Sequence, residues 1–161
     1  MPSPFVLRKF EPKDLHQVVH INQICLPENY SNGFFIDLYE KFPETFIAAE
    51  RNGTIIGYIM CRIESGFSGM SFRTLGLAKK GHIISIAVLP ENRNIGVGHA
   101  LIEEALRAMS IFYEARSCFL EVRVSNSTAV SLYKRMGFEV ERTIRGYYSD
   151  GEDSYIMSKK I

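Results

Sequence analysis

One segment constrains the fold of this chain more than any other: an apolar strand, a glycine-rich turn and a helix in direct succession. The run Gly81–Val88 is apolar on both faces, which is typical of a strand at the centre of a covered sheet. The turn Arg93–Gly98 follows, and Gly96–Phe112 then has apolar residues at helical spacing along one side. The segment therefore predicts a central strand that is joined to a helix by a glycine turn.

The other elements follow from hydrophobic periodicity and turn residues. A helix is predicted from about Glu11 to Cys25, with Pro12 tolerated in its first turn. Asn52–Gly53 supplies the positive φ angles of a tight hairpin. Further strands are predicted at Phe5–Arg8, Thr45–Glu50, Thr54–Ile63, Cys118–Val124, Phe138–Ile144 and Ser154–Ser158, and further helices at Phe34–Phe42 and Ser127–Met136. This order predicts a mixed α/β domain built on one sheet, with helices on both faces.

Composition and charge exclude several classes of protein. The 161 residues fit a single domain spanning residues 1–161, and 46% of them are hydrophobic. A formal net charge of +1 gives no reason to expect nucleic acid or a membrane surface as a partner. No apolar run reaches the roughly 18 residues of a membrane span, and the first ten residues lack the features of a signal peptide.

The cysteines point to a reducing compartment. Cys25, Cys61 and Cys118 are odd in number, lie far apart and form no CxxC pattern. Disulfides are rare in the cytosol, so this usage predicts a cytoplasmic protein, and it gives no structural zinc site. We expect the three thiols to be small core side chains.

The glycine turn has the properties of an anion site. The first amides of the helix, from about Ile95 to His99, lack partners within the helix and lie at the positive end of its dipole. Gly96 and Gly98 leave room for a ligand to approach the backbone, and Arg93 adds a positive charge. A diphosphate fits this description. The turn matches neither GxGxxG nor GxxxxGK[ST], and taken alone it is equally well explained as a structural turn.

Two motifs together carry a specific resemblance. The pattern R-x-x-G-x-G is present at Arg93–Gly98, and N-x-x-A-x-x-L-Y-x-x-x-G-F is present at Asn126–Phe138. Together they resemble the GNAT superfamily of acyl-coenzyme A transferases, whose fold is a single mixed, mostly antiparallel sheet with helices on both faces. Nearly the whole chain is similar to the catalytic subunits of protein N-terminal acetyltransferases, above all the archaeal enzymes related to the NatA catalytic subunit and to RimI. The segments that carry this similarity are Leu26–Tyr30, Gly81–Val88, Glu121–Asn126 and Gly146–Tyr155. The predicted long loop Ser65–Lys80, with three glycines, also fits the archaeal form.

The resemblance implies acetyl-coenzyme A as cosubstrate. Its pantetheine arm would lie where the strand of His82–Val88 splays from the strand of Phe119–Val124. Tyr133 would lie near the sulfur and Asn126 would contact the coenzyme. The other implied coenzyme contacts are the backbone of Ile86, Ala87 and Val88, and the diphosphate turn of Arg93, Asn94, Ile95, Gly96, Val97, Gly98 and His99.

The implied reaction is direct attack of a free α-amine on the thioester in a ternary complex. The amine has a pKa of about 7.7 to 8.0, so a base must remove a proton. Glu28, His82 and Glu121 are the candidates, and the sequence does not decide between Glu28 and the His82–Glu121 pair. Tyr133 is the candidate acid for the departing thiolate. A backbone N–H near Ile86 or Ala87 would stabilise the oxyanion.

Each of these assignments has a structural alternative. His82 could be a core histidine, or could bind a metal ion with Glu121, although two ligands fall short of a zinc site. Glu121 could instead pair with Arg123 or with another neighbouring residue. Tyr133 could serve in packing only. Tyr147 and Tyr148 could be ordinary strand aromatics, and the acidic run Asp150–Asp153 is expected to be a solvated turn.

The implied substrate is the extended N-terminus of a protein or nascent chain. Its slot would have Leu26, Pro27, Glu28 and Tyr30 on one side and Tyr147 and Tyr148 on the other. Ser, Ala and Thr are the expected first residues, with relaxed specificity because apolar pockets discriminate weakly. A ribosome or an auxiliary subunit is a further expected partner. The alternative functions are a lysine or polyamine acetyltransferase and a non-catalytic acyl-coenzyme A sensor.

Overall fold

The computed structural model describes residues 4–65 and 79–161, so the predicted long loop Ser65–Lys80 lies, except for its ends, outside the described residues. The strands are β1 (Val6–Lys9), β2 (Phe46–Arg51), β3 (Thr54–Ser65), β4 (Lys79–Val88), β5 (Ser117–Arg123), β6 (Glu139–Ile144) and β7 (Ser154–Lys160). The α-helices are α1 (Leu15–Cys25), α2 (Asn32–Lys41), α3 (Val97–Tyr113) and α4 (Ser127–Arg135). None of the helices in the described ranges is long and apolar enough to cross a membrane.

The strands form one mixed sheet in the order β1-β2-β3-β4-β5-β7-β6. Strands β4 and β5 are parallel, and the other neighbours are antiparallel. β4 lies at the centre of this order, as its two apolar faces predicted. The predicted architecture, a mostly antiparallel sheet with helices on both faces, is confirmed.

Alternation along the strands divides the core between the two faces of the sheet. In β2, Ile47 and Ala49 pack on the side of α3 and α4, whereas Phe46 and Ala48 pack on the side of α1 and α2. Successive side chains of a strand point to opposite faces, which explains this division. Cys61 and Cys118 are buried in the first of these cores, as expected for small apolar residues.

The ends of α1 and α2 differ slightly from the prediction, and they set the loop between them. The expected helix start near Glu11 is a 3-10 turn at Pro12–Asp14, and the α-helix begins only at Leu15. α1 ends at Cys25, since the next residue is extended and precedes a proline. Ser31 caps α2 by accepting a hydrogen bond from the amide of the third residue after it. The α1–α2 loop is therefore residues 26–31.

Strands β4 and β5 separate halfway along their length. They pair only from Lys80 to Ile83, opposite residues 117–120, and β4 then continues alone on that side. A bulge accompanies the separation, because Ile84 has no partner on the other neighbour, β3. The gap exposes one backbone edge of β4 from residue 84 to 88. The predicted splay between these two strands is confirmed.

Candidate active site

The candidate site lies where β4 and β5 part. The α1–α2 loop borders the gap on one side and the turn at residues 145–153, between β6 and β7, borders it on the other. A hydrogen bond of 2.6 Å joins Arg123 of β5 to Glu28 of the loop, and Tyr147 of the turn reaches Glu121 of β5 at 3.4 Å. The structure thus brings the predicted bases and substrate residues to one gap.

His82 lies at the start of the gap between two carboxylates. Its Nε2 is 2.6 Å from Oε2 and 3.0 Å from Oε1 of Glu121, and its Nδ1 is 2.6 Å from Oε2 of Glu64. The ring is buried and stacks on Phe119, with centroids 4.1 Å apart. The predicted proximity of His82 and Glu121 is confirmed, and the ring is buried as the core-histidine alternative requires. Glu64 was not predicted.

The charge of Glu64 is stabilised by its neighbours. Burial acts to raise the pKa of Glu64, but hydrogen bonds from His82 and Arg62 outweigh it and hold the pKa below its ordinary value. Arg62 donates from Nε to the same oxygen, Oε2, at 2.8 Å. Arg62 and Glu64 are two residues apart on β3 and therefore lie on the same face of the sheet.

Arg123 forms the second cluster of charges. Its guanidinium donates to Glu28 at 2.6 Å, to Asp150 at 2.8 Å and to Glu152 at 2.9 Å. Its Cζ also lies 4.0 Å above the ring of Tyr148, within the range of a cation–π contact. One side chain of β5 therefore connects the α1–α2 loop to the β6–β7 turn, across the predicted substrate slot.

The groups of this second cluster keep their charges. Hydrogen bonds to Glu28 and Glu152 raise the pKa of Arg123 above its ordinary value despite partial burial. The backbone amide of Glu152 is the main cause of the lowered pKa of Asp150. Hydrogen bonds from Ser125 and then Arg123 lower the pKa of Glu152. Arg123 and its two acidic partners in the turn are thus ionised throughout the neutral pH range.

A buried amide holds the backbone of the α1–α2 loop. Asn22 of α1 donates to the carbonyl of Glu28 at 3.1 Å and accepts from the amide of Tyr30 at 3.3 Å. It also donates to the hydroxyl of Tyr58 at 3.1 Å, which in turn lies 2.6 Å from the hydroxyl of Ser85 in β4. This network fixes the loop to the strands beneath it, and neither Asn22 nor Tyr58 was predicted.

Three tyrosines form the walls of the gap. The rings of Tyr147 and Tyr148 meet edge to face with centroids 4.9 Å apart, and Tyr30 stacks on Phe34 at 4.8 Å. Burial and then the charge of Glu121 raise the pKa of Tyr147 to about 12. Burial likewise raises the pKa of Tyr30 and of Tyr148. All three hydroxyls therefore remain protonated donors at neutral pH.

The remaining predicted substrate residues differ in their surroundings. Leu26 is half-buried and packs on the core beneath α1 and α2, whereas Pro27 is exposed. Both lie in the α1–α2 loop beside Glu28, where the sequence placed them. Part of the Leu26 side chain therefore packs in the core, and only the remainder can line the predicted slot.

The predicted coenzyme turn opens α3. Gly96 is the N-cap residue with φ +90°, a conformation that favours glycine, and Asn94 has φ +66°. Arg93 folds back and donates from Nε to the carbonyl of Val88 at 2.9 Å. A Cβ at Gly98 would meet a side chain of α4 only at 3.5 Å, an ordinary contact, so packing within the chain does not require that glycine.

The backbone of the turn is exposed and adjoins the free edge of β4. Ile95 and His99 are exposed and Val97 is buried, which leaves the first amides of α3 at the surface beside the edge. The predicted backbone contacts, Ile86, Ala87 and Val88, lie in the part of β4 that pairs with β3 but no longer with β5. The geometry suits the predicted diphosphate and pantetheine contacts, which remain predictions.

Tyr133 and Asn126 lie in α4 and at its start. Tyr133 is buried against Phe138, with ring centroids 5.8 Å apart, and burial raises the pKa of its hydroxyl well above the ordinary value. Asn126 caps α4 by accepting a hydrogen bond from the amide of Ala129 at 3.2 Å. Tyr133 is thus a packed core residue that also keeps its proton, as an acid must. Asn126 has a structural role whether or not it contacts the coenzyme.

Three expectations from the sequence are corrected by the structure. Glu121 pairs with a neighbouring residue, but that residue is His82 rather than Arg123, which contacts Glu28. Tyr147 and Tyr148 lie in the turn between β6 and β7 rather than in a strand. The acidic run Asp150–Asp153 is more than a solvated turn, because two of its carboxylates bind the guanidinium of β5.

The candidate metal site has too few ligands. Within residues 4–65 and 79–161, no group of three or more His, Cys, Asp or Glu side chains is arranged to hold a metal ion.

Comparisons with known proteins agree with the geometry. Residues 15–138 match the acetyltransferase (GNAT) family. An N-alpha-acetyltransferase of Sulfurisphaera tokodaii is 45% identical over 155 residues, which cover 96% of this chain and 92% of that protein. The catalytic subunit NAA10 of the N-terminal acetyltransferase A complex of Arabidopsis thaliana is 33% identical over 157 residues, covering 96% and 77% respectively.

A solved structure gives the same result. Chaetomium thermophilum Naa20, solved in complex with a bisubstrate analogue, superposes with a TM-score of 0.83 at 35% identity, covering 97% of this chain and 86% of that one. This chain therefore belongs to the GNAT acetyltransferase family. The predicted resemblance to N-terminal acetyltransferase catalytic subunits is confirmed, and the chain is an acetyltransferase.

Proposed function

We propose that this protein transfers the acetyl group of acetyl-coenzyme A to the free N-terminal α-amine of proteins. Relatives named N-alpha-acetyltransferase match over nearly the whole chain, and a structural neighbour is solved with a bisubstrate analogue. The observation that carries the proposal is that two carboxylates, Glu121 of β5 and Glu28 of the α1–α2 loop, both lie beside the β4–β5 gap. Their carboxylate oxygens give an entering ammonium group two sets of hydrogen-bond acceptors beside the tyrosine rings.

The proposed mechanism is direct attack in a ternary complex. A proton of the α-ammonium group leaves through a water to the Glu121–His82 pair, and the nitrogen lone pair forms a bond to the thioester carbonyl carbon. The nitrogen of the tetrahedral intermediate loses its second proton to solvent water, and the C–S bond breaks. The Tyr133 hydroxyl donates a hydrogen bond to the departing thiolate, which takes its proton from solvent water. The raised pKa of Tyr133 keeps its hydroxyl protonated, so it remains a hydrogen-bond donor while charge develops on the sulfur.

Glu28 is better suited to binding the amine than to accepting its proton. Its Oε1 is held by Arg123 at 2.6 Å, and its backbone carbonyl is held by Asn22. A carboxylate that a guanidinium holds in place has a fixed position, so its oxygens can accept a hydrogen bond from the ammonium group and orient it. The base is therefore assigned to the Glu121–His82 pair.

The first residue of the substrate is proposed to be small. Tyr30 on one side and Tyr147 and Tyr148 on the other leave a slot between flat rings, of which Tyr30 and Tyr148 are half-buried and Tyr147 is exposed. Ser, Ala and Thr fit such a slot, and larger apolar residues lose only about 1 to 3 kcal/mol per methylene of misfit. We therefore expect a preference for Ser and Ala with relaxed specificity.

The proposed partners are nascent or finished polypeptides in the cytoplasm. One relative, NAA10 of Arabidopsis thaliana, is the catalytic subunit of an acetyltransferase complex. By analogy, we propose that an auxiliary subunit or a ribosome presents the N-terminus of the substrate to this chain.

The test is the initial rate of acetyl transfer from acetyl-coenzyme A to a panel of acceptors. The panel comprises peptides that begin Ser, Ala, Thr, Met-Leu and Met-Glu, together with an N-blocked peptide with an internal lysine, and spermidine. We expect the Ser and Ala peptides to react fastest, the Met peptides more slowly, and the last two acceptors not at all. Transfer only to lysine or spermidine would assign the site to another amine, and coenzyme binding without any transfer would indicate a sensor.

A further inference from the structure

The two ring nitrogens of His82 have more acceptors than a neutral ring can satisfy. Nδ1 faces Glu64 at 2.6 Å and Nε2 faces Glu121 at 2.6 Å. A neutral imidazole carries one N–H, so it can donate to only one of the two carboxylates. A ring with both nitrogens protonated donates to both. The mechanism above uses Glu121 and His82 and leaves Glu64 without a role.

The position of Glu64 follows from the ladder of β3 and β4. Arg62 lies directly opposite His82 in the register, and Glu64 lies two residues further along the same face. Arg62 and His82 both donate to Oε2 of Glu64. The carboxylate is thus fixed from both sides with one oxygen aimed at Nδ1, although about a third of the side chain is exposed.

We propose that Glu64 is a positioning residue for acetyl transfer: it orients the ring so that Nε2 faces Glu121, and it sets the pH at which the ring can accept a proton. The proposal rests on the proposed function, in which the Glu121–His82 pair is the base. A ring that is protonated on both nitrogens cannot take a further proton. Glu64 stabilises that doubly protonated form, so a higher pH is needed to remove one of the two ring protons and make the ring a base.

The other charges around His82 do not reproduce this effect. The titratable and charged groups that face the ring or its two carboxylates are Glu64 and Arg62 of β3, Glu121 of β5, Tyr147 of the β6–β7 turn, Tyr30 of the α1–α2 loop, and Lys80 of β4 itself. Only Glu64 contacts Nδ1 among the described residues. Removal of its charge therefore affects the ring directly.

The test compares the pH dependence of kcat for acetylation of a Ser-initiated peptide. Glu64→Gln has nearly the same shape as wild type but no negative charge, and Glu64→Asp keeps the charge. Glu64, Glu121 and Glu139 line one open groove, and Glu139→Gln removes a charge from this groove at a residue that does not contact His82. We expect the acid limb of the Glu64→Gln profile to move to lower pH by about one unit. We also expect its plateau kcat to fall about 10-fold through loss of orientation. Glu139→Gln should match wild type, and Glu64→Asp should recover the wild-type limb.

A double variant and a spectroscopic titration complete the test. If Glu64 acts through the ring, Glu64→Gln should cause no further loss of kcat in a His82→Ala background. In protein with 15N-labelled histidine, the ring signals that His82→Ala removes should change from charged to neutral at a lower pH in Glu64→Gln than in wild type. The titration gives an answer even where a variant is too slow to assay.

The outcomes separate this inference from the proposed function. A wild-type protein that does not acetylate the peptide overturns the proposed function and the role of Glu64 with it. A wild-type protein that acetylates the peptide, together with an unshifted Glu64→Gln profile and titration, overturns only the role of Glu64. An additive loss in the double variant has the same meaning, because Glu64 would then act independently of His82.

Discussion

Two neighbouring positions on one face of β5 carry different chemistry. Glu121 and Arg123 are two residues apart, so their side chains point the same way. Arg123 contacts three carboxylates and connects the two walls of the slot, whereas Glu121 contacts His82 and the hydroxyl of Tyr147. The Arg123 cluster contains a permanent cation, whereas the His82 cluster contains an imidazole, a side chain that can accept and release a proton.

The difference separates positioning from proton transfer. A guanidinium with ionised partners cannot accept or release a proton under working conditions, but it holds its partners in a fixed geometry. An imidazole beside a carboxylate can exchange a proton at small cost. We infer that the Arg123 cluster shapes the slot and that the His82 cluster performs the acid–base step.

The largest expected effect is on the proton-transfer side. His82→Ala should lower kcat by about 10² to 10⁴, because a positioned base contributes that much to a transfer. KM for a Ser-initiated peptide should change little, since the slot walls remain. Steady-state kinetics on the wild type and on His16→Ala give the comparison, because His16 is an exposed histidine of α1 whose loss should leave kcat unchanged. An unchanged kcat would assign the base to Glu28.

The next effect tests the positioning side. Arg123→Gln should lower kcat/KM by about 10²-fold, because both slot walls lose their common partner and the amine is misplaced. Arg123→Lys should not restore the rate. An ammonium group lacks the planar fork of N–H donors with which the guanidinium contacts three carboxylates at once. Arg107→Gln, which breaks a surface pair on α3, is the matched control and should behave as wild type.

A smaller effect distinguishes the two carboxylates of the gap. Glu28→Gln should raise KM for the peptide about 10-fold with a modest change in kcat, since it removes an attraction present before the reaction. Glu121→Gln should mainly lower kcat. The measurement is kcat and KM of both variants at one pH with one peptide. A loss of kcat in Glu28→Gln and a raised KM in Glu121→Gln would instead make Glu28 the base and Glu121 the residue that binds the amine.

The smallest effect concerns stability and pH. The pKa of Arg123 is raised and those of Asp150 and Glu152 are lowered, so their ion pairs are fully present above the ordinary carboxyl pKa and are lost only as pH falls through the lowered values. The Tm difference between wild type and Arg123→Gln should therefore be constant from pH 6 to 9. Thermal melts across that range test it, and a difference that changes near pH 7 would contradict the assignment.

The sequence predicts the fold well because the fold depends on patterns that are local. The strand Gly81–Val88 was predicted as central from its own apolar residues, and the glycines at 96 and 137 marked the start of α3 and the end of α4. The prediction was least accurate at the first helix, where Pro12–Asp14 forms a 3-10 turn. Local signals do not distinguish that turn from a first helical turn.

The candidate site was only partly predictable, because its contacts join distant strands. His82 and Glu121 were expected to meet, but Glu64 was missed because its place beside His82 depends on the register of β3 against β4. The sequence spacing also allows Arg123 as a partner of Glu121, since the two lie on one face of the strand. The choice of Glu28 instead depends on the folded position of the α1–α2 loop, which Asn22 holds.

The most direct measurement uses one peptide with a free Ser N-terminus and an internal lysine, incubated with the wild-type protein and acetyl-coenzyme A. Fragmentation mass spectrometry of the product locates the acetyl group. The account predicts a single acetyl group on the α-amine, with the lysine unmodified at early and at late times. Acetyl transfer to the lysine at a comparable rate would contradict the claim that the slot selects an N-terminal amine.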